Sequence, residues 1–134
     1  MAAASGNTLR VELVAADRTV WSGDAVRVIA RTTDGDLGLL PGHAPLLSVL
    51  VPGVVDVTTD TGETWVAAVD GGFLSVADGR VSILSEHAEM SHEIDLEKAR
   101  HDVERLTVAG ENSDEASEAL RLAEARVRAA ERAS

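Results

Sequence analysis

Between Thr8 and about Ala88 apolar and polar residues trade places in short runs. Leu9, Val11, Leu13 and Ala15 take every second position, with Arg10 and Glu12 between them; this period of two is that of a half-buried β-strand. Residues 25–31 are rich in β-branched side chains and predict another strand. Residues 54–59 and 64–69 flank Asp60-Thr61-Gly62, and residues 73–76 and 81–84 flank Ala77-Asp78-Gly79. Both connections carry turn chemistry and predict β-hairpins. Residues 37–55 hold no Asp, Glu, Lys or Arg over about the length of a membrane span. Pro41, Pro45, Pro52, Gly38, Gly42 and Gly53 within them are incompatible with a spanning helix, so they read as buried strands and a turn. Strands at this spacing predict an antiparallel β-sandwich or barrel rather than alternating βαβ units.

From Ser91 the period changes. Leu96, Ala99, Val103 and Leu106 step by three or four, as do Ala116, Leu120, Ala123, Val127 and Ala130. Each set forms a narrow apolar seam on an otherwise charged helix. Asp95 is placed to cap the first helix, with Ile94 and Ala99 as a hydrophobic staple. Gly110 suits its C-terminus, and Ser113 caps the second helix ahead of Asp114 and Glu115. The short connection predicts an antiparallel two-helix hairpin. The expected organisation is therefore a disordered N-terminal tail (1–7), a β-sandwich (8–90) and a helix–loop–helix (91–134). Alanine occupies four of the nine seam positions and buries little area, so the hairpin has to lean on the sandwich or on a partner.

Composition narrows the functional classes. The 134-residue chain has no Cys, which removes disulfides, thiolate metal sites and cysteine nucleophiles. Two Trp, one Phe and no Tyr leave no stacking platform for single-stranded nucleic acid. A net charge of −11 disfavours nucleic acid and direct adsorption to anionic lipid. The sandwich segment contributes −7 (five Arg against twelve Asp and Glu) and the hairpin −4 (seven basic against eleven acidic). Arginine supplies every basic residue but Lys98, which together with abundant Ala and Val suggests a GC-rich genome. The first seven residues have neither a basic nor an apolar segment and are not expected to act as a secretory signal.

No phosphate-binding loop, G-x-S-x-G or H-E-x-x-H motif is present, and Gly35, Gly38 and Gly42 lack dinucleotide-binding spacing. His43, His87, His92 and His101 have no ligand spacing, and the carboxylates are scattered. The reading is of no catalytic residues, no metal and no cofactor.

One segment is more specific. Gly35-Asp36-Leu37-Gly38-Leu39-Leu40-Pro41-Gly42-His43-Ala44-Pro45-Leu46-Leu47 resembles the signature of the ε subunit of F-type ATP synthases. Pro52-Gly53-Val54, Gly71-Gly72-Phe73-Leu74-Ser75-Val76, and Ala88-Glu89 followed by Ile94-Asp95 match that family in order and spacing. The resemblance implies a flattened ten-stranded sandwich with a helical hairpin, and a non-catalytic role in the central stalk. Its partners would be the γ subunit and the ring of c subunits, and membrane association would come only through the complex, at the cytoplasmic face of the bacterial cell membrane. An apolar sandwich face kept for γ would account for so much Val and Leu. The hairpin would extend into the α/β catalytic head to restrain ATP hydrolysis. Asp36 and His43 would meet the c ring. A nucleotide-binding set would comprise Glu89, Asp95, Lys98, Arg105 and Arg126. Lys98 stands where the family motif has arginine, and Leu122 where it has another, so ATP binding is expected to be weak or absent. The alternative is a stand-alone binding module that uses the hairpin as a dimerisation arm.

Overall fold

The computed structural model describes residues 7–110 and 113–132, so all but the last residue of the expected tail lies outside the described residues. Seven strands come first: β1 (Leu9–Val14), β2 (Thr19–Thr32), β3 (Gly35–Leu39), β4 (Leu46–Thr59), β5 (Thr64–Ala77), β6 (Arg80–Leu84) and β7 (Ala88–Met90). A 3-10 turn at Ser91–Glu93 leads into α1 (Leu96–Ala109) and α2 (Asp114–Arg132). The sandwich-then-hairpin order is the one the hydrophobic periods imply.

Both hairpins form. At the β5–β6 turn Ala77 pairs with Arg80, and Asp78 and Gly79 have φ of 53° and 75°. Two successive left-handed residues give the turn whose twist suits the flanking strands. The strands are longer than the apolar runs suggest, because Pro and Gly bend them without ending them. In β4, Pro52 and Gly53 fall where the register against β2 slips between the pairs Ile29–Asp56 and Thr32–Leu50. A proline there removes no rung of that ladder. In β5, Gly71 and Gly72 have φ of 112° and 118°, and a Cβ on Gly72 would overlap the carbonyl of Leu84. This glycine pair lets β5 exchange neighbours: Ala67–Val69 pairs with β7, and Phe73–Ala77 pairs with β6.

Strands β1, β6, β5, β4 and β2 close a ring, because β1 pairs with both β6 and β2; β3 extends from β2 and β7 from β5. A ring of five strands cannot alternate direction all the way round. One pair must therefore run parallel, and it is β1–β6. The ten strands implied by the resemblance are seven here. Three of the seven (β2, β4 and β5) are 14 residues long and broken midway by a register slip or by glycine and proline; counting each as two recovers ten segments. Inside the flattened ring, Leu9, Val11, Leu13, Val28, Leu39, Leu74, Val81 and Ile83 are buried in one core.

The helix ends follow their capping residues. Asp95 accepts a bond from the Lys98 amide at 3.1 Å, Gly110 closes α1 in the left-handed conformation, and Ser113 Oγ accepts from the Ala116 amide. The expected seam on α2 is only part of its buried surface. Ala116, Leu120 and Val127 are half-buried and Ala123 and Ala130 buried, while Ala125 and Ala129, outside that seam, are fully buried with Val66, Ala68, Ile94 and Ala99. The hairpin is docked: α2 lies on the outer face of β4 and β5, and α1 packs on α2. Ion pairs Arg132–Asp56 (2.7 Å), Arg126–Glu89 (2.7 Å) and Arg100–Glu131 (3.0 Å) fasten α2 to β4, β7 and α1.

Candidate functional site

The surface feature with most binding potential is apolar. Val49 pairs with Phe73, and Phe73 pairs with Leu84, so these three line up across β4, β5 and β6; Leu47 is on the same face of β4 as Val49. Leu47 is 72% exposed, and Phe73 and Leu84 are each 54% exposed. A contiguous apolar stripe of this kind marks a protein-binding face. Sequence reading expected a face of this sort without naming its residues. The signal was there in the consecutive apolar pairs Val49-Leu50, Phe73-Leu74 and Ile83-Leu84. In each pair Leu50, Leu74 or Ile83 is buried and its neighbour points outward, which leaves one apolar residue per pair without a core.

Asp36 is exposed and His43 half-buried, and the two are at different ends of β3. Asp36 is near the start of β3, opposite Arg31 of β2, and His43 is in the turn after its end. Leu37, Gly38 and Leu39 alone carry the strand about 10 Å from Asp36 before the turn begins. The His43 ring is held by its Nδ1 against the Ala44 carbonyl at 2.7 Å, and its amide donates to Leu40.

The nucleotide set is partly gathered. Arg126 meets Glu89 and, at 3.5 Å, Asp102; Asp102 in turn meets Arg105 at 3.6 Å. Asp102 is a member that sequence reading missed, and it competes for both arginines. Asp95 is committed to capping α1. The arginines that would bind phosphates are thus neutralised by carboxylates on β7 and α1.

A third cluster sits beside the β5 kink. Asp70 accepts bonds from Ser85 Oγ (2.7 Å) and the His87 amide (3.1 Å) on one oxygen, and meets His87 Nδ1 (2.7 Å) with the other. Burial pushes the Asp70 carboxyl up, but the bonds from His87 and Ser85 outweigh it and hold the group below its usual range. The same bond to Asp70 raises His87. The carboxylate is central and the Ser85 hydroxyl is turned to Asp70 and the His87 carbonyl. The imidazole is not placed to take the serine proton, so this is no nucleophilic triad. Among the described residues no cluster of His, Asp and Glu could hold a metal, and no helix is long and apolar enough to cross a membrane.

An exposed apolar stripe on a closed sheet, with a charge-dense hairpin laid over another face, defines a subunit that works by binding other proteins. Residues 8–91 match the family model described as ATP synthase, Delta/Epsilon chain, beta-sandwich domain, and the chain belongs to that family. It is 54% identical over 114 residues to the ATP synthase epsilon chain of Streptomyces avermitilis, spanning 85% of this chain and 92% of that one. It is 52% identical over 121 residues to the ATP synthase epsilon chain of Streptomyces griseus, spanning 90% and 94%. Among solved structures, a chain of the Euglena gracilis mitochondrial ATP synthase (OSCP/F1/c-ring in rotational state 1) superposes with a TM-score of 0.79 at 26% identity, over 92% of this chain and 81% of that one. The family's chains are subunits of ATP synthase, and this one is not itself catalytic.

Proposed function

We propose that this chain works in the central stalk of the ATP synthase, at the cytoplasmic face of the bacterial membrane, where it passes c-ring rotation through γ to the catalytic head. The observation that carries the reading is the Leu47–Val49–Phe73–Leu84 stripe, which fits an apolar face of γ. The turn carrying His43 and the strand carrying Asp36 meet the polar loops of the c ring. The hairpin, released from β4 and β5, reaches the α/β head and restrains ATP hydrolysis. A stand-alone module that dimerises through its hairpin is disfavoured, since α2 already buries Ala125 and Ala129 on its own sandwich. Because Glu89 and Asp102 occupy Arg126, ATP binds the hairpin set weakly or not at all.

Co-purification of the assembled complex tests the reading. Phe73→Asp combined with Leu84→Ser should leave the isolated chain folded, since both side chains face outward, and abolish its recovery with γ. Recovery at the wild-type level would remove the stripe as the γ-binding face. Asp36→Cys should cross-link under oxidation to cysteines placed in the c-subunit polar loop. Absence of cross-links at every scanned position from 34 to 43 would remove the c-ring contact.

A further inference from the structure

The C-terminal end of α2 comes down on charged ground. A cavity of about 180 Å³ is lined by Arg31 of β2, Asp36 of β3 and Asp56 of β4 on the sandwich side, and by Arg128 and Arg132 of α2. Strand register puts the three sandwich groups on one face. Arg31 is opposite Asp36, and Ile29, two residues before Arg31, is opposite Asp56. Asp56 meets Arg132 at 2.7 Å, whereas Arg31 and Arg128 form no ion pair among the described residues. Asp36 therefore acts on them across the cavity rather than by contact. An adjoining groove brings Arg121 and Glu124 of α2 beside Arg31 and Arg128, and the charges of those two cancel. The sandwich side of the cavity carries a formal −1 and the hairpin side +2. Without Asp36 the sandwich side would be neutral, and without Arg31 it would be −2.

We infer that Asp36 holds the hairpin docked and that Arg31 opposes it. The Asp36 carboxylate gives the sandwich the net negative charge that draws the arginines of α2 down, and Arg31 halves that charge. The two side chains together set how firmly the end of α2 lies on β2, β3 and β4. Both are exposed, so water and salt limit each to a several-fold change in the released population. One carboxylate then has two uses. A partner that takes up Asp36, the c ring in the stalk reading, competes with α2 for it, and by reciprocity a docked hairpin weakens that contact. The action of Asp36 on the hairpin itself does not depend on the stalk reading, because every group in it belongs to this chain.

Hydrogen exchange in α1 and α2 of the full-length chain at low salt tests this. Asp36→Asn should speed exchange in both helices about three- to tenfold, and Arg31→Gln should slow it about twofold or more. Combining the two substitutions restores the sandwich side to −1 and should return the helices to within about twofold of wild type. Asp78→Asn removes the same charge from the β5–β6 turn, outside the cavity, and should leave the helices unchanged. Salt at about 0.5 M should shrink the effect of Asp36→Asn. Exchange in β3 reports any damage to the strand itself. The inference is overturned by unchanged helix exchange in Asp36→Asn, by faster exchange in Arg31→Gln, or by an equal acceleration in Asp78→Asn. Acceleration in Asp36→Asn that β3 shares to the same extent also overturns it, since the carboxylate would then act on its own strand.

Discussion

At Asp70 one carboxylate gathers Ser85, the His87 amide and the His87 ring, and so ties the β5 kink to the loop between β6 and β7. The two titrating groups give opposite pH dependences. His87 is raised above its usual 6.5, so its contribution is complete below 6.5 and is lost as pH rises through the raised value. Asp70 is lowered from 3.8, so its contribution is present above 3.8 and is lost as pH falls through the lowered value. The pair thus stabilises the fold most between these limits. The His87 side chain is 70% exposed, which keeps the effect below about 1 kcal/mol. Thermal melts across this range should show a small fall in midpoint on the alkaline side of 6.5, and His87→Gln should remove it. A fall that persists in His87→Gln would assign it to another group. In the sequence His87 has no ligand spacing to mark it. Its partner is 17 positions away, and only the neighbour exchange at Gly71 and Gly72 brings the two together.

Among the elements, the hairpin's attachment depends on residues that carry almost no hydropathy signal. Ala125 and Ala129 are fully buried where α2 meets Val66 and Ala68. Small side chains let the helix approach the sheet closely, so added volume cannot be absorbed. Ala129→Leu should cost roughly 1–3 kcal/mol of docking, enough to raise the released population about five- to 150-fold. Hydrogen exchange should then speed up in α1 and α2 and stay unchanged in β1–β6. Unchanged exchange in the helices would mean that the interface accommodates the larger side chain. The elements themselves were legible where local chemistry decides them: Asp78-Gly79 for a hairpin, Asp95, Gly110 and Ser113 for helix ends. What was not legible depends on distant pairing. The parallel β1–β6 pair follows from closing an odd ring, and no local pattern in either strand reports it. The full length of β4 and β5 is hidden for a related reason, since Pro52 and Gly71-Gly72 look like terminators but act as bends. The second buried stripe of α2 was missed because alanine at 125 and 129 reads the same whether buried or exposed.

Across the whole molecule the two apolar clusters are separate, and that bears on what the hairpin is for. The core inside the ring draws every buried member from Leu9 to Met90. The second cluster joins Val66 and Ala68 of β5 to Ile94, Ala99 and the alanines of α2. We propose on this basis that 8–90 folds as a unit and that 91–134 is a detachable one. Its attachment consists of a thin alanine interface and two ion pairs, Arg132–Asp56 and Arg126–Glu89, each with one partner a third to a half exposed. Docking should therefore stabilise the compact form by only a few kcal/mol, a gap that a partner can reverse. Truncation after Ser91 removes Glu93, whose carboxylate accepts from the Met90 amide and pairs with Arg18 at 2.9 Å, and it uncovers Val54, Val66 and Ala68. Some stability is lost, but the ring and its core remain closed. The truncated chain should stay folded and bound to γ, because the Val49–Phe73–Leu84 stripe lies entirely within the sandwich. Released, Arg121, Arg126, Arg128 and Arg132 would meet acidic surface on the catalytic head, and removing them should raise ATP hydrolysis by the assembled enzyme while proton-coupled synthesis is largely kept. Hydrolysis no faster than that of the intact complex, with the truncated chain still recovered with γ, would show that the hairpin does not restrain the enzyme.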